Sequence, residues 1–385
     1  RQLNQYFPVV LQIGSRFIKA GFAGDATPLC NLQTNNLKWN QHLNREICIT
    51  DEINELTQTG SAILTNDHSI DPHGDEFSKL KNNNEKLLIS TIYCKDLINS
   101  QWLWNYDISS NFDSKFLENL LERIFHDIYQ TELLIDAKMC KIILIENIFL
   151  PIPLKNILSY TLLNHIHARS LIYVSEPTMC CIGAGIQNAL VIDLGWEATT
   201  IVPVYDLRII HNNIESTNRS GKYLHYEILE KLIQVVGFEK LPSFNDKYKL
   251  FEFIENFISK CCYINDKENI EGDFIISDNC KIPNKLRCDL VKKLLFPPQD
   301  LWPNLDSNEK SIIDLIINKI LINLPIDLRT KLFGNIIITG GLSHIPGIKS
   351  YIAKQLQQLT TIPIELVHSL GPWSGASLYG STFLM

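Results

Sequence analysis

No run of about 18 uncharged apolar residues occurs in the chain, so no membrane-spanning helix is expected. The opening residues, Arg1-Gln2-Leu3-Asn4, hold neither a methionine nor the apolar core of a secretory signal, and the start reads as trimmed. Net charge is −7 and no Lys/Arg-rich run interrupts it, which argues against non-specific binding to nucleic acid. None of the ten cysteines stands at the C-x-x-C spacing of a zinc or redox site. The adjacent pairs Cys180-Cys181 and Cys261-Cys262 point different ways from the backbone and chelate poorly together. Reduced, mostly buried thiols of a cytosolic or nuclear protein are expected. Asp67-His68 and Asp71-Pro72-His73 offer metal-ligating side chains, but in a polar stretch, residues 66–86, that reads as a solvated loop.

What is present begins with size. The 385 residues, 45% hydrophobic and 20% charged, suit a soluble globular protein too long for one core, hence two domains. Residues 9–11 are apolar and β-prone, Gly14-Ser15 supplies a turn, and residues 17–22 return as a second strand. The same unit recurs at residues 189–204, with Gly195 in its turn. Two copies predict a duplicated domain with a cleft between the halves. The backbone N–H groups of the two Gly turns would then face each other across a phosphate chain.

Between and after the copies the periodicity is readable. Helical spacing covers residues 114–133, 155–167, 223–236 and 245–263, and buried strands are predicted at 141–150 and 171–174. Residues 264–300 read as short strand-like pieces, and 311–324 as an apolar run stopped by Pro325. A strand over 335–339 runs into Gly340-Gly341, where the missing Cβ atoms permit close approach to a ligand. Residues 31–109 carry only short apolar runs.

Lys19-Ala-Gly-Phe-Ala-Gly-Asp25 resembles the first phosphate hairpin of actin and the actin-related proteins. Leu324-Pro325-Ile326-Asp327-Leu328-Arg329, the run from Asn335 to Gly347, and Gly371-Pro372-Trp373-Ser374-Gly375-Ala376-Ser377 resemble later segments of that family. The resemblance covers residues 8–30 and 110–385. It implies an α/β, actin-like ATPase fold: duplicated ribonuclease-H-like domains flanking a nucleotide cleft. The small domain would hold residues 1–176 and 369–385, with 31–109 divergent, and the large domain 177–368. The hinge would fall at 178–185.

The resemblance also implies a chemistry. In the family, Gly turns hold the phosphates, a carboxylate on each hairpin orders the waters around Mg²⁺, and a hinge Gln positions the attacking water. The first carboxylate falls here on Gln12 and the second on Asp193; the phosphate-contacting lysine is Lys19. Gly14, Ser15 and Gly195 are kept, but Trp196-Glu197 follow Gly195, placing an indole and a like charge beside the phosphates. The water-positioning Gln aligns with Pro177, Gly340-Gly341 would lie against adenosine, and the adenine-side Lys-Glu pair falls on Ile258-Ser259. No ATP hydrolysis is expected. ATP or ADP binding stays open at Gly14, Ser15, Lys19, Asp193, Gly195, Gly340 and Gly341, whose alternative role is structural, with Lys19 paired to Asp193.

Three functions follow. The first is a non-catalytic cytoplasmic, cytoskeletal subunit resembling the divergent actin-related member of dynactin. It would contact the actin-like filament subunit and the other pointed-end subunits, and neither nucleic acid nor membrane directly. The second is an actin-related scaffold of a chromatin-remodelling complex. The third is an active nucleotide switch.

Overall fold

Val9, Val10 and Leu11 are all fully buried, so their strand is covered on both faces, as a central strand must be. This strand, β1 (Phe7–Ile13), folds back through a tight turn into β2 (Phe17–Phe22), followed by β3 (Cys30–Gln33). The structure, a computed structural model, describes residues 6–33, 114–236, 247–265, 273–277 and 280–383. All of these belong to one compact unit, Arg1–Thr34 with Gln101–Met385, separate from Asn35–Ser100. Residues 89–92, where the family resemblance implies a short strand, and the metal-ligating types at 67–73 lie outside the described residues.

The first sheet is completed by two crossovers. Helix α1 (Ser114–Asp127) continues into a π-helical turn (Ile128–Glu132) and leads to β4 (Cys140–Glu146). Helix α2 (Ile152–Tyr160) leads to β5 (Ser170–Ser175). Strand order is β3-β2-β1-β4-β5, antiparallel within the hairpin and parallel across β1-β4-β5.

Helix α3 (Glu176–Ala184) then passes to the second sheet, whose first strands are β6 (Ala189–Leu194), β7 (Thr199–Tyr205), β8 (Arg208–Ile209) and β9 (Glu215–Thr217). Helices α4 (Gly221–Val236) and α5 (Lys247–Cys261) follow, then a small hairpin of β10 (Asp273–Ser277) and β11 (Cys280–Pro283). After them come α6 (Asn284–Leu295), α7 (Ile312–Asp314, extended by a π-helical Leu315–Leu321) and α8 (Ile326–Phe333). Strand β12 (Ile336–Thr339) closes the sheet beside β6, and α9 (Ile348–Leu359) and α10 (Pro372–Phe383) follow. The order is β12-β6-β7-β8, with β9 also on β7.

The two sheets repeat one plan: an antiparallel hairpin flanked by a parallel strand. The registers match as well. Gln12 faces Lys19 across the first hairpin and Asp193 faces Thr200 across the second. Helix α3 joins the two cores. Met179 packs with Val10, Ile143 and Trp373 of the first, and Cys180 and Cys181 with Val191, Val202 and Ile337 of the second. Gly183 and Gly375 let α3 and α10 touch backbone to backbone; a Cβ on either would press on the other helix.

One expectation fails. Residues 284–295 form a helix, not strand-like pieces, with Cys288, Val291 and Leu295 buried on one face. Among the described residues of that region, β10 and β11 are the strands. Cys30, Cys140, Cys180, Cys181, Cys261, Cys262 and Cys288 are free, and all of these but Cys261 are buried. Among the described residues no helix is long and apolar enough to cross a membrane.

Candidate functional site

The ends of β1 and β6 and the start of α3 meet at the floor of a cleft. Gln12 and Asp193 each occupy the next-to-last position of their strand. Gln12 does not reach toward solvent: its Nε2 donates to Glu176 Oε1 at 3.0 Å. Asn147, just beyond β4, donates Nδ2 to Glu176 Oε2 at 3.1 Å. Both carboxylate oxygens of Glu176 are thus taken by amide donors. Gln12 Oε1 is buried with no partner among the described residues, leaving one neutral acceptor where a charged one was anticipated.

The side chain that enters the cleft belongs to Glu176, one residue before Pro177. Pro177 is buried in the first turn of α3, where its fixed φ and missing N–H suit a helix start. Burial raises the Glu176 pKa, opposed by the hydrogen bonds from Asn147 and Gln12 and by the charge of Lys19. Asp193 is raised well above the ordinary carboxylate value, first by burial and then by the charge of Glu176. Two acids so placed resist carrying two negative charges; the amide donors to Glu176 oppose its shift, whereas burial and the charge of Glu176 both push Asp193 upward. Among the described residues no ion pair joins Lys19 to Asp193, and the charge of Lys19 acts on Glu176. The cavity between Asn147, Glu176, Pro177, Asp193 and Thr339 measures about 10 Å³, room for no more than a water.

The hairpin turns are built for contact with protein. Gly14 N–H donates to Phe17 O at 2.9 Å and closes the first turn, which also contains Ser15 and Arg16. In the second turn, the carbonyls of Gly195 and Trp196 accept from Gly221 N and Lys222 N, both at 2.9 Å. They satisfy N–H groups that the first turn of α4 leaves free. Glu197 does not present a bare charge to the cleft: Lys222 Nζ lies 3.3 Å from its Oε2. The Trp196 indole packs on His225 and Phe251, with ring centroids 5.5 and 5.7 Å away. Arg16 lies over the same indole.

Gly340 also has a protein reason. Its φ is +91°, and a Cβ there would collide with the Asp193 carboxyl and the Leu194 backbone. Gly341 is exposed, and a Cβ there would meet nothing within 4 Å. On the far wall, Ile258 is buried and Ser259 exposed on α5.

These residues do not fit a hydrated magnesium triphosphate. A hard cation prefers ionised oxygen ligands, whereas the cleft floor offers an amide that donates to a neighbour and an acid biased toward its protonated form. Sequence reading located Gln12 and Asp193 but missed Glu176, Asn147, Arg16 and Glu255. Only Glu176 had a local signal, an acid immediately before a helix-starting proline.

The family model for actin matches residues 4–383. The chain is 22% identical over 271 residues to rat actin-like protein 9, covering 68% of this chain and 64% of that protein. It is 25% identical over 146 residues to the actin-like protein ARP10 of Saccharomyces cerevisiae, covering 38% of this chain and 47% of that protein. It is 21% identical over 359 residues to actin-related protein 2 of Schizosaccharomyces pombe, covering 91% and 81%. The chain therefore spans about half to two thirds of the length of the first two relatives. With two hairpin sheets repeated about a cleft and a family match across nearly its whole length, the chain belongs to the actin family.

Proposed function

We propose that this chain is a non-catalytic actin-related subunit that docks on the pointed end of the short actin-like filament of dynactin. It ends the filament there and helps recruit the other pointed-end subunits, in the cytoplasm and cytoskeleton, for dynein-driven transport on microtubules. The observation that carries the non-catalytic part is the closed network Gln12–Glu176–Asn147 over a protonation-prone Asp193. It uses up the groups that would otherwise order a metal and its waters. The partial similarity to the yeast actin-like protein ARP10 supports placement among divergent members of the family.

The mechanism is geometric. Head-to-tail contacts between like subunits extend without limit unless one face is altered. A subunit with an actin-like inner face and a divergent outer one adds once and stops growth. No turnover is required for that role, so an inert cleft costs it nothing.

The test is affinity purification of the tagged full chain from its native extract. Recovery of the actin-like filament subunit with pointed-end partners is expected. Recovery of remodelling ATPases instead would replace this reading with the chromatin scaffold.

A further inference from the structure

Arg16 sits at the tip of the first hairpin, yet its side chain is only 6% exposed. Its Nε donates to Glu255 Oε1 at 2.8 Å, and its Nη2 lies 2.7 Å from Glu255 Oε2. The Nε contact is a charge-assisted hydrogen bond, whereas Nη2, although close, and Nη1 make no hydrogen bond among the described residues, so the pair rests on one hydrogen bond and the proximity of the two charges. Two rings flank the guanidinium: Trp196, with its centroid 5.1 Å away, and Phe251, at 4.6 Å. Behind them His225 of α4 stacks on Phe251 at 4.3 Å. Gly221 makes room for the indole, since a Cβ there would meet its Cε3 at 3.0 Å.

The four side chains come from three places: the β1–β2 turn, the β6–β7 turn and helix α5. Arg16 and Glu255 are separated by 239 residues in sequence. We propose that Arg16, Glu255, Trp196 and Phe251 form an internal clasp that ties both hairpins to α5. The protein's own side chains thereby do the bridging that a ligand held between the two turns would do. Arginine is the residue suited to this task, because its flat fork grips a carboxylate while its faces stack on aromatic rings; lysine does only the first. Removing one charged partner strands the other in a desolvated site, so the clasp is either complete or broken. The inference goes beyond the proposed function and holds whichever assembly carries the chain.

The test is hydrogen exchange on the full chain, followed in peptides covering residues 9–22 and 247–261. Glu255→Gln, nearly isosteric, is expected to speed exchange in the first hairpin roughly tenfold, although the change lies in α5. Arg16→Ala is expected to do the same for α5, and Arg16→Lys not to restore protection fully. A folded Glu255→Gln chain whose 9–22 peptides exchange as in the parent would overturn the clasp. Should Arg16→Ala fail to fold, Glu255→Gln alone decides. Adding MgATP to the parent chain separates the two proposals. Protection of these peptides by nucleotide would count against the non-catalytic reading, while the Glu255→Gln result would still decide the clasp.

Discussion

Single residues set the character of the cleft. Asp193 has a raised pKa in the fold, so its contribution to stability is present below the ordinary carboxylate value and is lost as pH rises through the folded value. Asp193→Asn removes that loss. Urea unfolding is expected to show a higher midpoint for the variant at pH 7 and little difference at pH 4; a lower midpoint at pH 7 would contradict this. His225 has the opposite sign. Burial, then the charge of Arg16, lowers its pKa from 6.5 to about 3, so its stability contribution is present above 6.5 and lost as pH falls. Between pH 6.5 and 5 the chain should lose about 2 kcal/mol from this group alone. His225→Phe, which keeps a ring against Trp196 and Phe251, should flatten that slope in the same unfolding series. Sequence showed which residues stood on each hairpin but not which side chains meet. Gln12 and Glu176 lie 164 residues apart, and only the fold brings them together.

Elements were easier to read. Both hairpins follow from β-prone runs interrupted by a Gly turn, and α3 from a proline start and Gly185 in the left-handed region at its end. Helix α6 is hard to read because only Cys288, Val291 and Leu295 are buried on its face, a narrow apolar stripe in a polar stretch. The Gly340-Gly341 pair was read as one ligand-facing feature, and the structure divides it. Gly340→Ala should cost about 3 kcal/mol, from a strained φ and from contact with Asp193 and Leu194. Gly341→Ala, facing open space, should stay within about 0.5 kcal/mol of the parent. Thermal melts of the two variants provide the check. Equal losses would mean that the pair is conformationally alike and that the division is wrong.

The described fold is an actin-family frame in which the polar groups at the ends of β1 and β6 and the start of α3 lie together. Duplication made the two halves legible from sequence, since each hairpin repeats the order strand, Gly turn, strand. Which side chains meet beyond the hairpins is not legible in the sequence, because Arg16 and Glu255 lie 239 residues apart and only the fold brings them together. Net charge of −7 and ordinary composition placed no constraint on that choice. The most direct measurement is nucleotide content and turnover. The purified chain, extracted with acid, should release far less than one ATP or ADP per chain and should produce no phosphate from MgATP above background. Stoichiometric nucleotide with sustained phosphate release would contradict the account.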